Sequence, residues 1–164
     1  VNDTCESSVP GIYAVGDVNG GPQFTYISLD DFRIVFGALT GNGHYTLKVR
    51  KNIPYTTFLT PPLARVGLTE QEAINKGYTV KTNELLVATM PRAHVNDNLK
   101  GAFKIVVNAE NNLILGATLY SQSAEELINL IKMAMDNNIP YTYFKNQIFT
   151  HPTMAENLND LCNF

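Results

Sequence analysis

Two stretches of this sequence have residue types and spacing that could do chemistry. Near the C-terminus, His151-Pro152-Thr153 is followed by Glu156. Imidazole gives and takes protons near neutrality, and a carboxylate on its far nitrogen fixes the tautomer and stabilises the charged form. Such a pair can serve as a general acid–base. Near the N-terminus, the apolar run Gly11-Ile12-Tyr13-Ala14-Val15 leads into Gly16-Asp17-Val18. A carboxylate where a strand ends can accept hydrogen bonds from ligand hydroxyls, and a glycine beside it lets the backbone approach closely. The cysteines suggest less. Cys5 and Cys162 stand near opposite ends, with no Cys-x-x-Cys pair and no clustered histidines, so neither a disulfide framework nor a metal site is expected and both are read as free thiols. His44 and His94 are read as ordinary core or surface residues.

Elements must hold these groups in place. Gly11–Val15 is expected to be a short buried strand that ends at Gly16-Asp17. Leu29, Phe32, Val35, Phe36 and Leu39 recur at helical spacing, which predicts a helix from about Thr25 to Leu39 that buries this stripe. Gly41-Asn42-Gly43 stops it, and the polar stretch His44–Asn52 reads as a linker. A domain boundary is placed there, giving segments 1–52 and 53–164. Beyond it, strands are expected at Thr57–Thr60, Ala64–Gly67, Tyr78–Met90, Ala102–Val107 and Leu113–Tyr120, the last two joined as a hairpin by Glu110-Asn111-Asn112. Thr69 and Glu72 form a capping-box pattern for a short helix. Leu127, Ile128, Leu130, Ile131, Ala134 and Met135 make the wide apolar stripe of a helix on a sheet, with Ser123 as its expected cap. The fold class is α+β, an antiparallel sheet with helices packed on it, preceded by a residual strand and helix.

Composition bounds the partners. With 45% apolar residues in 164, one real core can form; the net charge of −3, without blocks of like charge, gives no footprint for nucleic acid or an anionic membrane. No apolar run approaches the roughly 20 residues that span a bilayer. A cytoplasmic location is expected. A chain that opens on Val1 and reaches a strand almost at once reads as a piece of a longer protein.

Three motifs carry a resemblance. Val9-Pro10-Gly11-Ile12-Tyr13-Ala14-Val15-Gly16-Asp17-Val18 resembles the second flavin-binding motif of the pyridine nucleotide–disulfide oxidoreductases, the relatives of glutathione reductase, lipoamide dehydrogenase and mercuric reductase. Thr60-Pro61-Pro62-Leu63-Ala64-Arg65-Val66-Gly67-Leu68-Thr69-Glu70 is similar to the opening of their dimerisation domain, and Ile148-Phe149-Thr150-His151-Pro152-Thr153 with Glu156 to their catalytic tail. The departures around Gly20–Arg33 resemble the reactive-chlorine-resistance branch, for which copper(II) reduction is a described activity. Mercuric reductases end in adjacent cysteines; Cys162 stands alone here, which disfavours mercury chemistry.

The resemblance implies FAD as cofactor and NAD(P)H as substrate of the whole enzyme. Gly16, Asp17, Val18 and Thr25 would face the cofactor: Asp17 takes the ribityl hydroxyls, and the helix starting near Thr25 aims its positive end at the flavin. His151 would be the acid–base and Glu156 its orienting group, with a cis His151-Pro152 bond as in relatives. It further implies that residues 1–52 are the tail of the FAD-binding domain plus linker, and 53–164 the dimerisation domain of a homodimer, whose other partners are its own FAD and NAD(P)H domains. The family's Gly-x-Gly-x-x-Gly loop and redox-active cysteine pair are not among these residues, so the chain alone is expected to bind no cofactor and to be inactive. Residues 1–52 are then expected to be disordered, repacked, or covered by a neighbouring chain. The alternative functions are a non-catalytic homodimerisation or scaffold module, or an NADH oxidase-like flavoprotein.

Overall fold

A computed structural model describes all residues 1–164, and the chain divides into two compact units, Val1–Lys51 and Asn52–Phe164. In the first unit, helix α1 (Thr25–Thr40) is closed by Gly41, whose left-handed backbone (φ 77°) donates its N–H back to Gly37. The expected strand over Gly11–Val15 does not form. A strand needs a neighbour to complete its hydrogen bonds, and this segment finds only one bridge, Glu6 to Tyr13, before a 3-10 turn at Gly16–Asn19.

The face of α1 also differs from expectation. The helix buries Ile27, Asp31 and Ile34, whereas Phe32 and Phe36, from the predicted stripe, remain 54% and 57% exposed. Two faces of this helix are apolar, and the unit covers only one. The segment forms a compact unit of its own, with Phe32 and Phe36 left open.

The second unit is built on a five-stranded antiparallel sheet in the order β1-β2-β5-β4-β3, from β1 (Tyr55–Thr57), β2 (Leu63–Gly67), β3 (Val80–Leu86), β4 (Ala102–Asn108) and β5 (Ile114–Tyr120). The mixed α+β class expected from the pattern is the one observed. Alternation sets the two faces. Phe103, Ile105 and Val107 on β4 with Ala117 and Leu119 on β5 enter the core, and Lys104 and Thr118 face the other way, paired across the sheet. Just before β4, Gly101 comes so close to β5 that a Cβ would lie 1.7 Å from the Tyr120 carbonyl oxygen, so only glycine fits.

Helices α2 (Glu70–Asn75), α3 (Pro91–Val95), α4 (Ala124–Asp136), α5 (Tyr141–Asn146) and α6 (Leu158–Leu161) complete the unit. The capping box at α2 forms as its sequence predicts: Thr69 Oγ1 accepts from Glu72 N, and the Glu72 carboxylate accepts from Thr69 N at 2.7 Å. These bonds, the backbone one foremost, hold the Glu72 carboxyl below the usual range. Ser123 precedes α4 but caps nothing with its hydroxyl, because its backbone is left-handed (φ 66°). Helix α4 packs over β5 and β2 through Leu127, Ile128, Ile131 and Ala134. Helix α6 packs over β3 and β4 through Leu158 and Leu161. No helix is long and apolar enough to cross a membrane.

Candidate functional site

The C-terminal candidate is assembled by the short elements around α6. Asn83 on β3 donates to the carbonyl of Leu161 at 2.9 Å, and Asn159 donates to the carbonyls of Phe144 (2.6 Å) and Gln147 (2.9 Å), tying α6 to the sheet and to α5. Buried Asn157 donates to the carbonyls of Thr153 and Met154, both at 3.2 Å. With Leu158, Leu161 and Cys162 in the core, the turn just before α6 has little freedom.

On that turn, His151 Nδ1 and Glu156 Oε2 are 2.7 Å apart. The second carboxylate oxygen, Oε1, accepts from Thr153 N at 3.1 Å, and Thr153 Oγ1 accepts from Glu156 N at 3.2 Å. Thr153 and Glu156 thus satisfy each other in the reciprocal manner of a capping box, and the carboxylate that does so also holds the imidazole. Burial opposes ionisation of Glu156, but the hydrogen bonds from His151 and from Thr153 N outweigh it and lower its carboxyl below the usual range. The side chain of His151 is 67% exposed against 19% for Glu156, so the ring is held from its inner nitrogen and presents its outer edge to solvent. The His151-Pro152 peptide bond is cis. Thr153 went unassigned from sequence; the Thr-x-x-Glu spacing from 153 to 156 was the signal.

In the first unit, Gly16 is buried, with a left-handed backbone (φ 72°) and Ser28 Oγ only 2.6 Å from where a Cβ would stand. Asp17, Val18 and Thr25 are exposed. The Asp17 carboxylate makes no hydrogen bond within the chain and keeps its full accepting capacity, and no side chain caps the N-terminus of α1. A free carboxylate beside an uncapped helix N-terminus is a donor and acceptor set that fits a polyhydroxylated, electron-accepting ligand such as the flavin the resemblance implies. Missed from sequence were Asp31 and Arg50, which lie behind this turn.

Neither cysteine is placed for chemistry. Both are free and fully buried; desolvation pushes the Cys162 thiol up to about 12 and, as the largest influence, also raises that of Cys5. His94 uses its Nε2 on the Ala88 carbonyl at 2.8 Å, a local structural bond. No three His, Cys, Asp or Glu side chains are grouped to hold a metal ion.

Comparison with known proteins gives these two places a family context. Residues 53–162 match the family described as pyridine nucleotide-disulphide oxidoreductase, dimerisation domain. A probable pyridine nucleotide-disulfide oxidoreductase of Escherichia coli, RclA, is 47% identical over 161 residues, which cover 98% of this chain and 36% of the relative. A mercuric reductase of Staphylococcus aureus is 37% identical over 157 residues, covering 96% of this chain and 28% of that protein. The solved Cu(II) complex of the HOCl-induced flavoprotein disulfide reductase RclA from Escherichia coli superposes with a TM-score of 0.96 at 46% identity, over 99% of this chain and 37% of that one. LpdA of Mycobacterium tuberculosis shares the fold, with a TM-score of 0.89 at 23% identity, over 99% of this chain and 35% of that one. The chain spans about a third of the length of the curated relatives it matches.

Proposed function

Because this chain belongs to the pyridine nucleotide-disulphide oxidoreductases and carries their dimerisation domain, we propose that it is the C-terminal part of an FAD-dependent, NAD(P)H-oxidising reductase. In this reading residues 1–52 end the FAD-binding domain, and residues 53–164 pair two copies of the protein. FAD, when bound, supplies the electron transfer. The chain's own residues do the rest: Gly16, Asp17, Val18 and Thr25 line the cofactor, with Asp17 accepting its hydroxyls, and His151 moves a proton at its exposed ring edge in the partner subunit's active site.

The observation that carries this reading is the 2.7 Å bond between His151 Nδ1 and Glu156, with the ring otherwise exposed. An ionised carboxylate fixed on one ring nitrogen, with the other nitrogen left outward, is the arrangement that a general acid–base needs. The same geometry favours an enzyme over a scaffold that has lost its chemistry. It also disfavours an NADH oxidase-like protein, since that group generally lacks the His-Pro…Glu tail. Large apolar side chains left exposed on the second unit, Phe58, Met133 and Ile148 among them, are what a dimerisation surface would cover.

The oxidised substrate is a disulfide or a metal ion such as Cu(II), as the copper complex of the Escherichia coli relative suggests. The buried, undissociated Cys162 thiol is unsuited to handing over mercury. Alone, this chain pairs with itself but neither holds FAD tightly nor turns over nicotinamide. Two buried free thiols suit a reducing, cytoplasmic location.

The test is His151→Ala in the full-length flavoprotein. Disulfide reduction should slow by about two to four orders of magnitude, the range for a lost general acid–base. A loss under about tenfold would assign the proton to another group.

A further inference from the structure

Helix α1 buries only three side chains, Ile27, Asp31 and Ile34, and the middle one is a carboxylate with no solvent exposure. A charge there is costly unless every lone pair finds a donor. Asp31 Oδ2 accepts from Gly16 N at 2.8 Å and from Asn19 Nδ2 at 2.7 Å, while Oδ1 takes the Nη2 of Arg50. Arg50, itself 9% exposed, sends its Nε to Asp30 at 2.7 Å, and Tyr45 donates to the same Asp30 oxygen at 3.1 Å. Burial works against the Arg50 charge, but its bonds to Asp31 and Asp30 hold the guanidinium above its ordinary value. Asn19 in turn accepts from Gly21 N at 2.9 Å.

These contacts pin both ends of one short turn. Gly16 and Asn19 are drawn inward onto Asp31, and the two residues between them, Asp17 and Val18, are thrown outward; Val18 is 80% exposed. The inward pull at Gly16 needs both its left-handed backbone and its missing Cβ, which would strike Ser28. The bond network therefore fixes the stretch of backbone that carries Asp17.

We propose that Asp31, locked by Arg50, is a positioning residue that aims Asp17 at the hydroxyls of the bound cofactor; this rests on the reading of Asp17 as an FAD ligand. Asp31 touches no cofactor atom in this scheme. It acts by holding the Gly16–Asn19 turn in one shape, so that Asp17 is already in place when the ligand arrives. Asp31→Asn keeps the volume but sets an amide N–H against a donor on one of its two sides, so that either the Gly16–Asn19 turn or its lock by Arg50 is lost.

The experiment is a double-mutant cycle on FAD affinity in the full-length flavoprotein, with FAD stripped and titrated back by flavin fluorescence. Asp17→Asn and Asp31→Asn should each weaken FAD about tenfold or more, the effect of losing a hydrogen bond to a charged group. In the Asp17→Asn background, Asp31→Asn should cost less than about twofold, since the group it aims is gone. An Asp31→Asn protein within about twofold of the parent, or a penalty undiminished in the Asp17→Asn background, overturns the positioning role and leaves the FAD reading intact. An Asp17→Asn protein with unchanged affinity overturns the FAD reading itself. If Asp31→Asn does not fold, Asn19→Ala takes its place in the same cycle, because it frees one end of the turn and leaves the Asp31–Arg50 pair whole; the same two outcomes decide.

Discussion

Glu156 serves two donors with two oxygens, one for the His151 ring and one for the Thr153 backbone. Replacing it by Gln keeps the shape but removes the charge that fixes the imidazole, so turnover of the full-length enzyme should fall by about ten- to a hundredfold, less than for His151→Ala. A stopped-flow comparison of the two variants reads that difference. The lowered Glu156 carboxyl also links to stability. A group whose folded-state value is depressed adds stability above the unfolded-state value and loses it as pH falls through the folded one. The acid limb of unfolding should therefore be shallower in Glu156→Gln than in the parent, beginning where ordinary glutamates titrate; circular dichroism against pH would show it. At this scale the sequence was readable for His151 and Glu156, which are five residues apart on one turn. It was not for Asp31, whose partners Gly16, Asn19 and Arg50 are 12 to 19 positions away. The available clue was an acid at an i, i+4, i+7 position between Ile27 and Ile34.

At the scale of elements, local rules held where a segment completes its own hydrogen bonds and failed where it needs distant company. The α2 capping box, the α1 stop at Gly41 and the β4–β5 hairpin are all decided within a few residues, and each forms where its sequence places it. Gly11–Val15 has the composition of a buried strand but has no neighbouring strand in this unit to complete a ladder. The same deficit explains the exposed side of α1, where the residues that would cover Phe32 and Phe36 are not in the unit. Two stability predictions belong here. Thr69→Ala removes the hydroxyl cap of α2 and should cost about 1 kcal/mol. Phe103→Ala empties the largest fully buried site of the sheet and should cost about 3–5 kcal/mol. Urea unfolding of the isolated chain would rank the two, and a Phe103→Ala loss no larger than that of Thr69→Ala would mean that the core is not centred on β4.

At the scale of the whole molecule, the two candidate sites lie in different units of the chain. Asp17, the proposed cofactor ligand, belongs to a turn of the first unit, and the His151–Glu156 pair to a domain whose family name is dimerisation. The central claim is that each copy presents its His151 to the active site of its partner. Mixed dimers test this most directly. One full-length subunit would carry His151→Ala and the other a replacement of the redox-active cysteine pair that the family uses, each inactive by itself. If the site is shared, random mixing gives mixed dimers with one complete site, and disulfide reduction should return to about a quarter of the parent rate. Activity that stays at the level of the inactive parents after demonstrated subunit exchange would place histidine and cysteines in the same subunit and contradict the account.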